Sequence, residues 1–179
     1  MAINIHAGHA KIGGGAIGAV GYISESVEDR RIKNLVKKNL IKKGYRVFDC
    51  TTDKGTQSQV LSGIIKKCNS NKVSLDVSIH FNCGVSQKNS DGNTTGVEVW
   101  TTGKNKSTDN IASSICKGIS KLGFKNRGVK HTNGLYFLNH TKAPAVLIEV
   151  CFVDDPDDVK LYKKTYKKIA KVIADSIGG

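Results

Sequence analysis

Short apolar runs alternate with amphipathic helical stretches along the whole chain, and this alternation restricts the fold more than any other feature of the sequence. Ile3–His6, Tyr45–Phe48, Leu75–His80, Gly96–Trp100 and Ala143–Glu149 read as strands, and Gly134–Leu138 as a further short one. Between them, Ile32, Leu35, Val36, Leu40 and Ile41 recur at helical spacing within Glu25–Lys43, and Gly44 follows as a C-cap. Gln57–Cys68 repeats the pattern with Val60, Leu61, Ile64, Ile65 and Cys68, and Asp109–Leu122 does so with Ile111, Ile115 and Ile119. A last helix starts at Pro156 and carries Leu161, Ile169, Ile173 and Ile177. Alternating strands and helices predict an α/β fold: one domain, built on a mostly parallel twisted sheet of about six strands with helices on both faces. The 179 residues suit one domain spanning 1–179, without internal repeat or Pro/Ser-rich linker. Gly178-Gly179 reads as the start of a linker to a further module.

In such folds, sites collect beyond the carboxyl ends of the strands. Three predicted strands lead there into a side chain able to bind metal or move a proton: His9 after Ile3-Asn4-Ile5, His80 after Val77-Ser78-Ile79, and Glu149 after Val146-Leu147-Ile148. Glu25 opens the first helix. Two imidazoles and two carboxylates make the minimum set of a zinc hydrolase, namely three ligands, an open position for water, and a base. We assign His9, Glu25 and His80 as ligands and Glu149 as the base. Glu28 competes with Glu25 for the ligand position. Asn82 and the Thr132–Leu135 loop, Leu135 included, are expected substrate contacts.

Each residue also has a plain structural reading. His9 fits a loop beside Gly8, His80 fits a hydrogen-bonded core histidine, and Glu25 fits a first-turn carboxylate favoured by the helix dipole. Glu149 resists such a reading, because a carboxylate within Val146-Leu147-Ile148-Glu149-Val150-Cys151-Phe152 needs a partner or a function.

Composition narrows the classes. The chain is 39% hydrophobic with 2 prolines, which is not a disordered composition. No apolar run is long enough to span a bilayer, so no membrane insertion is expected. Met1-Ala2-Ile3-Asn4 has no basic segment followed by an apolar stretch, so no secretory signal is expected. The 5 cysteines (Cys50, Cys68, Cys83, Cys116, Cys151) are odd in number and lack CxxC spacing, which points to free thiols rather than a disulfide framework or a cysteine zinc knuckle. A formal charge of +13 draws the chain to polyanions. An anionic bacterial envelope answers that charge as well as nucleic acid does.

At these residues the chain resembles the zinc-dependent N-acetylmuramoyl-L-alanine amidases, the amidase type 3 family. That family shows a strand leading into Gly-His, here Gly8-His9, and a glutamate opening a helix that ends in Gly before a strand, here Glu25, Gly44 and Tyr45-Arg46-Val47. It shows Ser-Ile-His-x-Asn, here Ser78 to Asn82, and a Gly-x-Glu-Val strand, here Gly96 to Val99. It ends in Pro-Ala-x-Leu-x-Glu before Phe and an acidic stretch, here Pro144 to Glu149, then Phe152 and Asp154-Asp155. These motifs, in this order, cover nearly the whole chain. The resemblance implies that His9, Glu25 and His80 bind Zn(2+), that Glu149 is catalytic, and that the substrate is peptidoglycan, cut between N-acetylmuramic acid and L-alanine. Many relatives carry Asp at His6 and Gly at Ala10, so His6 is a further candidate, expected to pack or support the site. His131 and His140 match no motif and read as loop residues, with His131 a candidate for the groove.

The expected setting is a phage endolysin catalytic domain, made in the bacterial cytoplasm and acting on the wall after release, with peptidoglycan and anionic wall polymers as partners. A sporulation mother-cell lytic amidase would use the same chemistry. A cysteine amidase built on Cys83 beside His80 is less favoured, because the metal reading already explains both His motifs. A basic polyanion-binding domain is also less favoured. The lysines spread over several helix faces, Arg127 and Lys130 have no interleaved aromatic platform, and no nucleic-acid partner is expected. Gly13-Gly14-Gly15-Ala16-Ile17-Gly18 lacks the Gly-Lys-Ser/Thr ending of a phosphate loop and reads as a flexible loop near the site.

Overall fold

The computed structural model describes residues 1–179. The chain runs β1 (Ala2–Ala7), α1 (Glu25–Lys42), β2 (Arg46–Asp49), α2 (Gln57–Asn69), β3 (Leu75–Asn82), β4 (Val97–Thr101), α3 (Lys106–Ser120), β5 (Asn126–His131), α4 (Tyr136–His140), β6 (Ala145–Phe152) and α5 (Pro156–Gly178). The strands form one 6-stranded sheet in the order β2-β1-β3-β6-β4-β5. Neighbours are parallel except β4 and β6, which run antiparallel. The α/β class and the mostly parallel sheet are therefore as expected from the alternation.

The period of two in the strands divides the sheet into two unlike faces. Ile3, Ile5, Val77, Ile79, Val97, Val99, Val146 and Ile148 point to one face, where α1, α3 and α5 close over a core of 27 buried residues. The other face carries Asn4, His6, Asp76, Ser78, His80, Glu98 and Glu149. Only part of it is apolar, where Val60 and Ile64 of α2 and Phe137 and Leu138 of α4 meet Leu147 in a core of 10 buried residues. One face thus supplies the stability of a large apolar core, and the other is free to hold polar chemistry.

Helix ends follow their capping residues. Thr56 and Gln59 form a reciprocal capping box on α2, Asn105 caps α3 through the amides of Ser107 and Thr108, and Asp155 caps α5 before Pro156. Gly44, at φ 86°, lets the chain turn from α1 into β2, a conformation costly for any residue with a Cβ.

The sequence expectations miss in four places. Gly134–Leu138 is not a strand: from Tyr136 it forms the short helix α4, whose Phe137 and Leu138 are buried against α2 in the smaller core. Asn126–His131, polar and interrupted by Gly128, is the edge strand β5, half-buried along most of its length. Helix α3 starts at Lys106 rather than Asp109, where Asn105 provides the cap. Strands β3 and β6 run on to Asn82 and Phe152, so His80 and Glu149 lie within strands rather than at their ends.

Candidate metal centre and active site

Glu25 organises the site. It is the first residue of α1 and 3% exposed, and its side chain reaches back over the ends of β1 and β3. Its Oε1 lies 3.0 Å from His80 Nδ1 and 3.2 Å from His9 Nε2, and it also accepts the Phe81 amide at 3.0 Å. Oε2 accepts the Ala19 amide at 2.8 Å. Burial pushes the Glu25 carboxyl up, but the hydrogen bonds and charges of His80 and His9 outweigh it and hold the group well below the usual carboxylate range. The donor atoms of His9, Glu25 and His80 all lie within 4.8 Å of one another. Burial works to lower His80, but the Glu25 hydrogen bond and the charges of Glu149, Glu25 and Asp29 outweigh it and raise the ring to about 9.

Backbone packing fixes this cluster. A Cβ on Gly8 would stand 2.0 Å from His80 Cε1, so that ring fits only against a glycine. His9 sits in a loop but is not loose. Asp29 Oδ2 accepts its amide at 3.3 Å, and Arg30 Nη2 donates to its carbonyl at 2.8 Å. Arg30 is also held by Asp53 at 2.8 Å. Asp29 itself is fully buried, which raises its carboxyl to about 6 despite the charge of Arg30.

Glu149 stands next to His80 in register across β3–β6, and next to Glu98 across β6–β4. Its Oε2 is buried without a hydrogen-bond partner. Burial raises the carboxyl to about 7, His80 pulls it down, and the charges of Glu25 and Glu98 add to the rise. Glu98 is different: Asn82 Nδ2 and Trp100 Nε1 donate to its Oε1 at 2.9 and 3.2 Å, and Arg127 Nε to its Oε2 at 2.7 Å. Of these two adjacent carboxylates, one is fully tied and the other, part-buried, keeps an oxygen without a partner.

A cleft opens beside the cluster. His9 and His80 form one wall; Ala16, Val60, Leu61, Leu135, Phe137 and Leu147 line most of the rest. His6 and Ser78 also line it, and Tyr136 and Gln57 stand at its edge toward Thr56–Ser62.

The structure thus brings His9, Glu25 and His80 together and sets Glu149 beside His80. Glu28, the rival ligand, points elsewhere: it is bound by Tyr162 Oη at 2.6 Å and Arg31 at 2.9 Å. Leu135 lines the cleft, whereas Asn82 is engaged with Glu98. His6 is buried and packs edge-on against Phe137 at 4.6 Å. His131 is exposed on β5, 3.3 Å from Asp109, and His140 stacks on Tyr136 at 3.6 Å. Cys83 is exposed and its thiol is pushed up by slight burial and by nearby carboxylates, opposite to what a nucleophile needs. The sequence reading gave no site role to Asp29, Arg30, Glu98 or Arg127. Glu98 alone carried a signal, as a carboxylate alternating with Val97 and Val99 in a buried strand.

A family model described as N-acetylmuramoyl-L-alanine amidase matches residues 3–178. An uncharacterised protein of Clostridium perfringens strain 13 is 35% identical over 164 residues, 90% of this chain and 48% of that protein. The endolysin of Bacillus phage SPP1 is 33% identical over 106 residues, 55% of this chain and 36% of the endolysin. The chain spans about half the length of the first curated relatives it matches. Among solved structures, the catalytic domain of an endolysin targeting Clostridia difficile superposes with a TM-score of 0.88 at 28% identity, covering 99% of this chain and 96% of that one. The CwlD amidase from Clostridioides difficile, solved with the GerS lipoprotein, shares the fold at TM-score 0.81 and 23% identity, covering 98% of this chain and 95% of that one.

Proposed function

The chain belongs to the N-acetylmuramoyl-L-alanine amidase family, and on that premise we propose that it hydrolyses the peptidoglycan amide between the lactyl group of N-acetylmuramic acid and L-alanine, using zinc held by His9, Glu25 and His80. The observation that carries this reading is the meeting of those three donor sets within 4.8 Å, beside a carboxyl oxygen of Glu149 that is buried and has no partner. The donors fit the ion. Two imidazoles and one carboxylate suit a catalytic zinc site with a position left open, and the Glu25 carboxylate already stands ionised between both rings. Zinc bound there would supply Lewis-acid chemistry, acidifying water and polarising a carbonyl.

The protein's own part is proton traffic and orientation. Glu149, with its unpaired oxygen beside His80, accepts the proton of the attacking water as the water oxygen bonds to the scissile carbonyl carbon. It then delivers that proton to the alanine nitrogen as the carbon–nitrogen bond breaks, and the second proton of the water passes from the new lactyl carboxylic acid to the amine, leaving a carboxylate and an ammonium group. Glu98 cannot take this role, because its oxygens are occupied by Asn82, Trp100 and Arg127.

Likeness to two endolysins, one in sequence and one in fold and sequence, supports wall lysis as the setting. In that setting the chain is made in the cytoplasm and meets peptidoglycan and its anionic polymers once the membrane fails. No helix is long and apolar enough to cross a membrane. The test is release of N-terminal alanine from purified peptidoglycan, with chelator, zinc add-back and Glu149→Ala. Metal-dependent release that disappears in the variant is expected. Release of reducing sugar ends instead, or release that persists in Glu149→Ala, would overturn the reading.

A further inference from the structure

We propose that the cleft between α2 and α4 receives the N-acetylmuramoyl half of the substrate, so that the stem peptide leaves in the opposite direction, over β4 and β5. The proposal rests on the amidase reading above and adds the polarity with which the substrate lies across the site.

The lining decides the polarity. The cleft starts at His9 and His80, and no Asp, Glu, Lys or Arg lines it. A stem peptide bearing carboxylates would lose water there without gaining a countercharge, a costly exchange. Cations lie the other way along the sheet, on β5: Arg127, which neutralises Glu98, and Lys130, in register with Trp100 and outside any ion pair. A muramoyl unit is a neutral ring with an acetamido group and a short acyl arm. Its apolar parts suit Ala16, Leu61, Leu135 and Leu147.

Two unpaired polar atoms in the same lining match the acetamido group. His6 Nδ1 lies 3.1 Å from the Ala7 carbonyl, which places the ring proton on Nδ1 and leaves Nε2 as an acceptor. Nε2 is buried with no partner, and so is Ser78 Oγ. His6 and Ser78 are direct neighbours in register across β1–β3 and are 1% and 0% exposed, so they set an acceptor beside a hydroxyl under the cleft floor, which a ligand reaches only as the side chains above them move apart. An acetamido group brings an N–H and a carbonyl to such a pair. At the cleft edge Tyr136 is 49% exposed and held by its stack on His140, giving a flat platform for the apolar face of a sugar ring.

The experiment compares kcat/KM on two soluble substrates with one peptide, N-acetylmuramoyl-L-alanyl-D-isoglutamine and its analogue acylated by 2-methoxypropanoate in place of the muramoyl group. The zinc-loaded wild type should prefer the first. Tyr136→Ala should reduce that preference about tenfold, and Ser78→Ala should also reduce it. Tyr136 is half-exposed, so its truncation leaves the core intact, and a thermal melt of each variant checks this. A second pair, differing only by glycine for L-alanine in the first stem position, should keep its ratio in both variants. A muramoyl preference unchanged in both variants, or a shift in the glycine ratio alone, would overturn the proposal. A wild type that cleaves neither muramoyl peptide would instead overturn the amidase reading, and the polarity with it.

Discussion

Glu149 shows at the scale of one residue how a site is stored as instability. Burial raises its carboxyl from an ordinary value of 4.5 to about 7 in the fold. Below the lower value both states hold the proton and ionisation adds no cost to burial. As pH rises from there to about 7, the unfolded chain releases its proton first, so stability falls, and the loss levels off above 7. The metal-free Glu149→Gln variant should therefore melt higher than wild type at pH 8, by at most about 3 kcal/mol, with the advantage gone at pH 4. An advantage equal at both pH values would show that Glu149 ionises freely in the fold. A second prediction concerns His9, whose backbone is clamped by Asp29 and Arg30. Arg30→Ala should weaken zinc binding about tenfold, read by metal titration, because groups that hold a ligand in place affect affinity nearly as the ligand does. Unchanged affinity would assign Arg30 to stability alone. The motifs made His9, His80 and Glu149 legible in the sequence. The choice of Glu25 over Glu28 was not, because the residue that claims Glu28 is Tyr162, 134 positions away.

Among the elements, those with a strong period were legible and those defined by long-range contacts were not. Helix α2 carries a full apolar stripe and a capping box, and its expected limits differ from the observed ones by one residue at its end. Strand β5 has almost no apolar alternation, since it is paired on one side by β4 and open on the other. Helix α4 is five residues long and is held by Phe137 and Leu138 in the smaller core rather than by propensity. The start of α5 shows how such distant pieces are joined. Asp158 accepts the amides of Gly96 at 3.0 Å and Phe152 at 2.8 Å, tying β4 and β6 to the helix from a fully buried position. Asp158→Ala would leave both amides without a partner and should cost roughly 2–3 kcal/mol, measured by urea unfolding. A loss within about 0.5 kcal/mol would mean that water replaces the carboxylate.

For the whole molecule, the two faces of the sheet divide the work. The apolar face holds the fold and leaves its outer helices to carry charge. Lys160, Lys163, Lys164, Lys167 and Lys168 are exposed on α5, and the chain carries a net +13. The cleft lining, by contrast, has no Lys, Arg, Asp or Glu. If the amidase reading holds, recognition of the wall and recognition of the scissile bond are separate events with different physics. Attraction between a cationic surface and wall phosphodiesters is long-range and falls as salt shortens the screening length from roughly 10 Å at 0.1 M to 3 Å at 1 M. Binding of a neutral muramoyl group in a short-range apolar cleft is not screened. Lysis of intact walls should therefore fall steeply between 0.1 M and 1 M sodium chloride, with concentrations chosen to follow that screening range, while hydrolysis of a soluble muramoyl dipeptide changes little. Replacing the five α5 lysines with glutamine should flatten the salt response on walls and leave the soluble reaction as it was. Equal salt sensitivity on both substrates would place the charge effect inside the active site, contrary to the separation the two faces impose.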